Sequence, residues 1–213
     1  MTKLILIRHG ESLGNATRRL LGHTDLDLSE LGYRQAEAAA DALEKEKIDA
    51  IYSSDLLRAY NTAVPHAERR GLNIITSKKL REMMLGDWEG KSVDDVLNQY
   101  GDMYEVAWLG GYGTFRFPGG ESTLEGGERF FAECARIAAE NENKTILVTA
   151  HAAVIRSFFA KVMHIPAEKI ATEIPFPSNA SYSEVFYNNG VFEAGRFSVD
   201  EHLRGVGITK YEG

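Results

Sequence analysis

The sequence predicts an α/β fold: a three-layer sandwich with a mostly parallel sheet covered by helices on both faces. Three observations predict it. Strand-like and helix-like runs alternate along most of the chain, the order of a parallel sheet with helical crossovers. The 213 residues are 44% hydrophobic, enough for one well-buried domain carrying a large insertion. Two alternating runs around an Asn-Gly pair near the C-terminus add an antiparallel hairpin to that sheet. The expected organisation is a single domain, 1–213, with an insertion over one end of the sheet at about 91–141.

In chain order, LILI, from Leu4, is the first strand. A helix is expected over 28–47, with Ser29 as its N-cap and Leu31, Ala36, Ala39 and Leu43 on its apolar side. IDAIYSS is the second strand. The next helix, 55–71, is expected to start at an Asp55 cap, kink near Pro65 and end at Gly71. NIITSKKL reads as the third strand and TILVTAH as the fourth, followed by a helix over AVIRSFFAKVMH. YSEVFYNNGVFEAGRF is the hairpin. Regular alternation stops between 91 and 141, where two helical stretches, 92–109 and 122–140, flank the loop GGYGTFRFPGGE.

Charge and cysteine content narrow the function classes. A formal net charge of -7 argues against a nucleic-acid surface and against an anionic membrane surface. A site for an anionic substrate must therefore gather positive charge locally. The one cysteine, Cys134, rules out an internal disulfide and sits in a helical pattern that reads as core. No signal peptide or membrane-spanning run is expected, and a cytoplasmic location is the default.

Ligands of open α/β sheets bind outside the carboxyl ends of the strands. Charged or polar residues recur there: Arg8 and His9 after the first strand, Arg58 one turn into the helix after the second, Glu82 after the third, and His151 at the end of the fourth. Each alone has a bland reading as a structural hydrogen-bonder or a solvated charge; their recurrence at successive strand ends is what counts. Two arginines, two histidines and one carboxylate suit phosphoryl transfer. Forked arginine donors match the charge spread over the equatorial oxygens. A neutral imidazole can attack phosphorus, and a carboxyl group can protonate the leaving oxygen and later deprotonate water. No histidine spacing or acidic cluster resembles a metal site, so neither a metal nor another cofactor is expected.

In order, LIRHGES with Asn15, GHTDLDLSELGYRQA, SSDLLRAYNTA, LREMMLGDWEGKS, FPGGES and VTAHAAVIR resemble the signature blocks of the histidine phosphatase (phosphoglycerate mutase-like) superfamily over nearly the whole chain. The REMMLGDWEGKS and FPGGES blocks look most like the branch of α-ribazole and broad-specificity phosphatases. The resemblance implies a histidine acid phosphatase-type hydrolase with His9 as the phosphorylated nucleophile. It places Arg8, Arg58 and His151 around the phosphate, with Asn15, Gly22 and Ala152 as further phosphate-binding positions, and makes Glu82 the proton donor. Asp87 and Glu89 compete with Glu82 for that role, and pairing of Glu82 with Arg81 or a neighbouring arginine is its structural alternative. The expected partner is a small phosphorylated metabolite, with a homodimer left open. One position departs from the family pattern: Ala152, not glycine, follows the second histidine. Its N–H still serves a phosphate if its φ is negative.

Phosphatases and mutases of this family share the phosphohistidine. Mutases follow the proton donor with Arg-His-Tyr, where this chain has Met83, Met84 and Leu85, and place Trp where this chain has Gly14. The basic residues expected of a mutase in this insertion are reduced, before its second helical stretch, to Lys91 and Arg116. A phosphomonoesterase acting on a small metabolite is therefore expected, ahead of a cofactor-dependent phosphoglycerate mutase and of a non-catalytic phosphate-binding module. Tyr100, Tyr104 and Trp108 recur at helical spacing, followed by Tyr112, Phe115 and Phe117. These rings either pack the insertion onto the sheet or line a pocket for an apolar leaving group.

Overall fold

A computed structural model describes residues 1–110 and 115–209, so Tyr112 lies outside the described residues. The chain order is β1 (Thr2–Arg8), α1 (Leu13–Ala16), α2 (Glu30–Ala42), β2 (Ala50–Ser53), α3 (Leu57–Arg70), β3 (Ile74–Thr76), α4 (Val93–Tyr100), α5 (Met103–Glu105), α6 (Thr123–Glu140), β4 (Thr145–Ala150), α7 (Ala152–Val162), α8 (Ile170–Glu173), β5 (Tyr182–Asn188) and β6 (Val191–Ala194). One sheet runs β3-β2-β4-β1-β5-β6. Its first four strands are parallel, and β5 and β6 complete it antiparallel.

Alternation along β1 sorts the two cores. Leu4 and Leu6 face a cluster with Ile146, Val148, Phe130 and Cys134 of α6, and Phe158 and Phe159 of α7. Ile5 and Ile7 face the opposite layer with Leu43, Ala63, Ala67 and Leu147. Helices thus flank both faces, as the alternating elements predict. Cys134 is fully buried and burial pushes its thiol pKa up, which suits core packing. The second helical stretch of the 91–141 segment, α6, packs with α7 as part of this covering layer. No helix among the described residues is long and apolar enough to cross a membrane.

Several local expectations need correction. The helix expected over 28–47 stops at Ala42, because the residues after Leu43 carry no apolar face to bury before Ile48. Asp55 does not cap α3; Leu56 holds that position without a side-chain bond. A bidentate pair with Arg81, at 2.6 and 2.7 Å, takes the Asp55 carboxylate instead. The vacant cap is filled from a distant loop, where Asp25 Oδ1 accepts the Leu57 N–H at 2.8 Å. Helix α3 includes Pro65 and ends, as expected, at Gly71 in the left-handed conformation. The third strand is only Ile74–Thr76, and Lys78–Leu80 coil into a 3₁₀ turn. The expected helix over 92–109 breaks at Gly101, whose φ of 51° ends α4. Tyr100, Tyr104 and Trp108 therefore do not share one helical face. Trp88 gathers the first two, with ring centroids 5.4 and 6.2 Å away, and Trp108 packs on Tyr104 at 6.5 Å. Asn189 and Gly190 both have positive φ, as the predicted hairpin turn requires.

Candidate active site

Strand register places the two histidines side by side. Arg8 of β1 pairs with Ala150 of β4. The next residues, His9 and His151, then leave the sheet together, tied by the His9 N–H to the Ala150 carbonyl at 3.0 Å. Their rings stand 5.2 Å apart at 62°. On the other side of β4, Ser53 pairs with Thr149, which brings Ser54 Oγ to 2.9 Å from His151 Nε2. His151 Nδ1 is buried with no partner among the described residues.

The His9 ring is held from its Nδ1 side. That nitrogen lies 2.7 Å from the Gly10 carbonyl, so Nδ1–H donates and Nε2 carries the free lone pair. Gly10 cannot be larger: a Cβ there would meet the Gly32 carbonyl oxygen at 2.5 Å. Its N–H is accepted by Thr62 Oγ1, which in turn donates to the Arg58 carbonyl. Asn179 donates to the His9 carbonyl at 2.9 Å and to Asn15 Oδ1 at 3.2 Å. This bridge ties Asn15 to the site, although Asn15 Oδ1 also accepts the Ser12 N–H in a capping box.

Two buried cations supply the local positive charge. Arg8 donates to the Pro177 carbonyl at 2.6 Å. Arg58, 2% exposed, donates to the carbonyls of Gly22 at 2.7 Å and Thr24 at 2.9 Å. Burial lowers the Arg58 pKa to about 10, which leaves it a cation at neutral pH. Gly22 has φ +50°, and a Cβ there would press on Glu89 Oε1 at 2.6 Å. Burial, with Arg58 and then Arg8 adding to it, pushes His9 well below the ordinary imidazole value. Burial and Arg58 do the same for His151. Both rings are therefore neutral near pH 7, and a neutral Nε2 is a competent nucleophile.

Glu82 reaches the site through the start of α7. Its Oε2 accepts the Ala153 N–H at 3.0 Å, and its Oε1 accepts those of Val154 at 3.2 Å and Met83 at 3.0 Å. These bonds fill N–H groups at the start of α7 that have no partner within the helix and fix the direction of the Glu82 side chain. The Arg81 alternative does not hold, since Arg81 is engaged by Asp55. Of the competitors, Glu89 braces the loop instead: it accepts the N–H groups of His23 and Leu85. Asp87 is exposed. Ala152 opens α7 with a negative φ, so alanine is no backbone obstacle there.

The structure brings together Arg8, His9, Asn15, Gly22, Arg58, Glu82, His151 and Ala152. Sequence reasoning missed Ser54, Thr62, Asn179, His23 and Arg129. Ser54 directly follows β2, as His9 follows β1, and could have been found by the same rule. Asn179 and Arg129 carry no local signal, because their partners are distant in sequence. Among the described residues no group of three or more histidine, cysteine or acidic side chains is placed to hold a metal ion.

Comparison with known proteins shows the family and the fold. Residues 4–200 match the family described as the histidine phosphatase superfamily, branch 1. Phosphoserine phosphatase 1 of Hydrogenobacter thermophilus is 34% identical over 186 residues, covering 87% of this chain and 86% of that protein. A Yersinia pestis protein named probable phosphoglycerate mutase GpmB is 34% identical over 170 residues, covering 78% and 77%. A solved mycobacterial glucosyl-3-phosphoglycerate phosphatase in complex with VO3 superposes with a TM-score of 0.86 at 29% identity, covering 93% of this chain and 99% of that one. The α-ribazole phosphatase of Shigella flexneri superposes at 0.79 with 25% identity, covering 92% and 96%.

Proposed function

The chain belongs to branch 1 of the histidine phosphatase superfamily, and on that premise we propose that it is a phosphomonoesterase working through a phosphohistidine. His9 Nε2 attacks the phosphorus of a small phosphorylated metabolite. The N–P bond forms as the ester P–O bond breaks, and the leaving oxygen takes the proton of the Glu82 carboxyl. Water then attacks phosphorus and gives its proton to Glu82 as the N–P bond breaks, which releases inorganic phosphate and restores His9. Arg8 and Arg58 hold the charge of the equatorial oxygens, and His151 faces the same phosphate. The single observation that carries this reading is the hold on the His9 ring: Nδ1 lies 2.7 Å from the Gly10 carbonyl, which assigns the lone pair to Nε2 in a ring that burial and two buried arginines keep neutral.

Phosphatase is favoured over mutase by the residues after Glu82. Met83 and Leu85 turn into the core and Met84 is exposed, so none offers a donor for a substrate carboxylate. Lys91 is held by Gln99 at 2.6 Å, and Arg116 pairs with Glu125. The GpmB relative keeps interconversion of phosphoglycerates as the second reading. The deciding experiment measures phosphate release from a panel of phosphorylated metabolites in EDTA, with phosphoglycerate interconversion assayed with and without its bisphosphate. Chelator-resistant phosphate release that exceeds interconversion by orders of magnitude is expected. Bisphosphate-stimulated interconversion as the faster reaction would reverse the assignment, and loss of activity to EDTA would end its metal-free form.

A further inference from the structure

The loop that carries Glu82 has no strand to hold it. Strand pairing ends at Thr76, and the chain continues as a 3₁₀ turn and an irregular stretch. A single side chain of α6 takes over. Arg129 Nη1 donates to the carbonyls of Lys79 at 2.9 Å and Arg81 at 3.0 Å, and Nη2 donates to the carbonyl of Glu82 at 3.0 Å. Nε and Nη2 also donate to Glu121, at 2.9 and 2.8 Å. A guanidinium has five N–H groups, and all five are used. Glu121 returns to the same loop: it accepts the Met84 N–H at 3.0 Å, and its own N–H donates to the Met84 carbonyl at 2.9 Å. Burial works against ionised Glu121, but Arg129 and the Met84 N–H outweigh it and keep its carboxyl below the ordinary value. His23 adds a second donor, Nε2, to the Glu82 carbonyl at 2.8 Å.

We infer that Arg129 and Glu121 are positioning residues for proton transfer, fixing the acid loop so that the Glu82 carboxyl group meets the leaving oxygen. The inference rests on Glu82 being the acid. Fixing three loop carbonyls on one planar fork sets the direction of the Glu82 side chain without touching the phosphate. All five Arg129 donors go to the loop and to Glu121, so the effect of losing the fork is expected in the leaving-group step. Lysine cannot replace it, because an ammonium has three donors and no fork.

The test compares Arg129→Lys and Glu82→Gln on two substrates, an alkyl phosphate and p-nitrophenyl phosphate, with His9 phosphorylation followed in single turnover. Arg129→Lys should slow the alkyl substrate by about 10- to 100-fold, as a misplacement of about 1 Å does. It should leave KM nearly unchanged and spare phosphorylation by the aryl substrate, whose phenolate needs little protonation. Parallel losses on both substrates, or no loss on either, would overturn the positioning role. If Arg129→Lys does not fold, Glu121→Gln, which keeps size and removes charge, carries the same test with the same outcomes. A Glu82→Gln protein without the leaving-group difference refutes the acid assignment itself. The difference in Glu82→Gln but not in the clamp variants refutes only the clamp.

Discussion

His9 and His151 are positioned by a β-ladder; Glu82 is positioned by side chains. The histidines leave adjacent parallel strands at paired residues, so the backbone register of β1 and β4 alone sets their separation. Glu82 lies beyond the short edge strand β3, and its place depends on Arg129, His23 and the Asp55–Arg81 pair. The proposed nucleophile sits where the chain leaves a central parallel ladder, and the proposed proton donor in a part held by replaceable side-chain contacts. Damage to the first region should therefore affect every substrate, and damage to the second should depend on the leaving group.

The largest selective effect is expected for Glu82→Gln, which should slow alkyl phosphate hydrolysis by about a hundred- to ten-thousand-fold, the usual range for general acid–base catalysis. The ratio kcat/KM on alkyl and aryl esters, which reads the phosphorylation step without the shared hydrolysis of the phosphoenzyme, checks it, and equal small losses would move the assignment to Asp87.

Gly10→Ala breaks the other region. The added Cβ meets backbone and not a flexible side chain, so a cost of about 1–3 kcal/mol and a Tm lower by several degrees are expected. Its activity loss should be the same for alkyl and aryl substrates. A leaving-group-dependent loss in Gly10→Ala would erase the distinction between the regions.

A smaller, graded effect comes from pH. Burial lowers the pKa of His66 to about 3, and burial with neighbouring arginines holds His9 and His151 well below 6.5. Below pH 6.5 the unfolded chain binds protons that the folded chain does not, so stability falls as pH drops through and below 6.5. Each such histidine contributes a slope of up to about 1.4 kcal/mol per pH unit. Denaturant unfolding from pH 7 to pH 5 checks the sign, and a His66→Gln variant should lose part of the slope while keeping activity. The same depressed values predict that kcat/KM holds its nucleophile-dependent level below pH 6.5, since His9 stays neutral there.

The smallest effect is expected for Asp55→Asn. A partly exposed ion pair contributes about 0–1 kcal/mol, and Arg129 and His23 still hold the loop. Less than tenfold loss on the alkyl substrate, with none on the aryl one, would fit a braced loop; a loss matching Glu82→Gln would make Asp55 the main brace.

The same contrast decides which features are legible in the sequence. Arg8, His9 and His151 are legible because an apolar run ending in polar residues marks a strand end, and strand ends in a parallel sheet converge. The parallel sheet, the hairpin at Asn189–Gly190 and both helix-covered faces arise from local periodicity in the same way. The illegible features depend on contacts between distant residues. The capping of α3 by Asp25 in place of Asp55, the bridging of His9 to Asn15 by Asn179, and the five bonds of Arg129 all come from tertiary approach. The break at Gly101 is visible as a glycine, but the spacing of Tyr100, Tyr104 and Trp108 suggests a continuous helix, and their clustering on Trp88 shows that packing keeps the rings together without it.

The most direct measurement traps the phosphoenzyme in the Glu82→Gln protein. An aryl phosphate labelled at phosphorus should still phosphorylate His9, because the ladder-held site is intact and the leaving group needs no acid. Hydrolysis of that intermediate should slow, because the group that deprotonates water is gone. Rapid quench should then show acid-labile label accumulating on His9 above the wild-type level. Label on His151, or a Glu82→Gln protein that forms no phosphohistidine from the aryl ester, would contradict the division between a ladder-held nucleophile and a clamp-held proton donor.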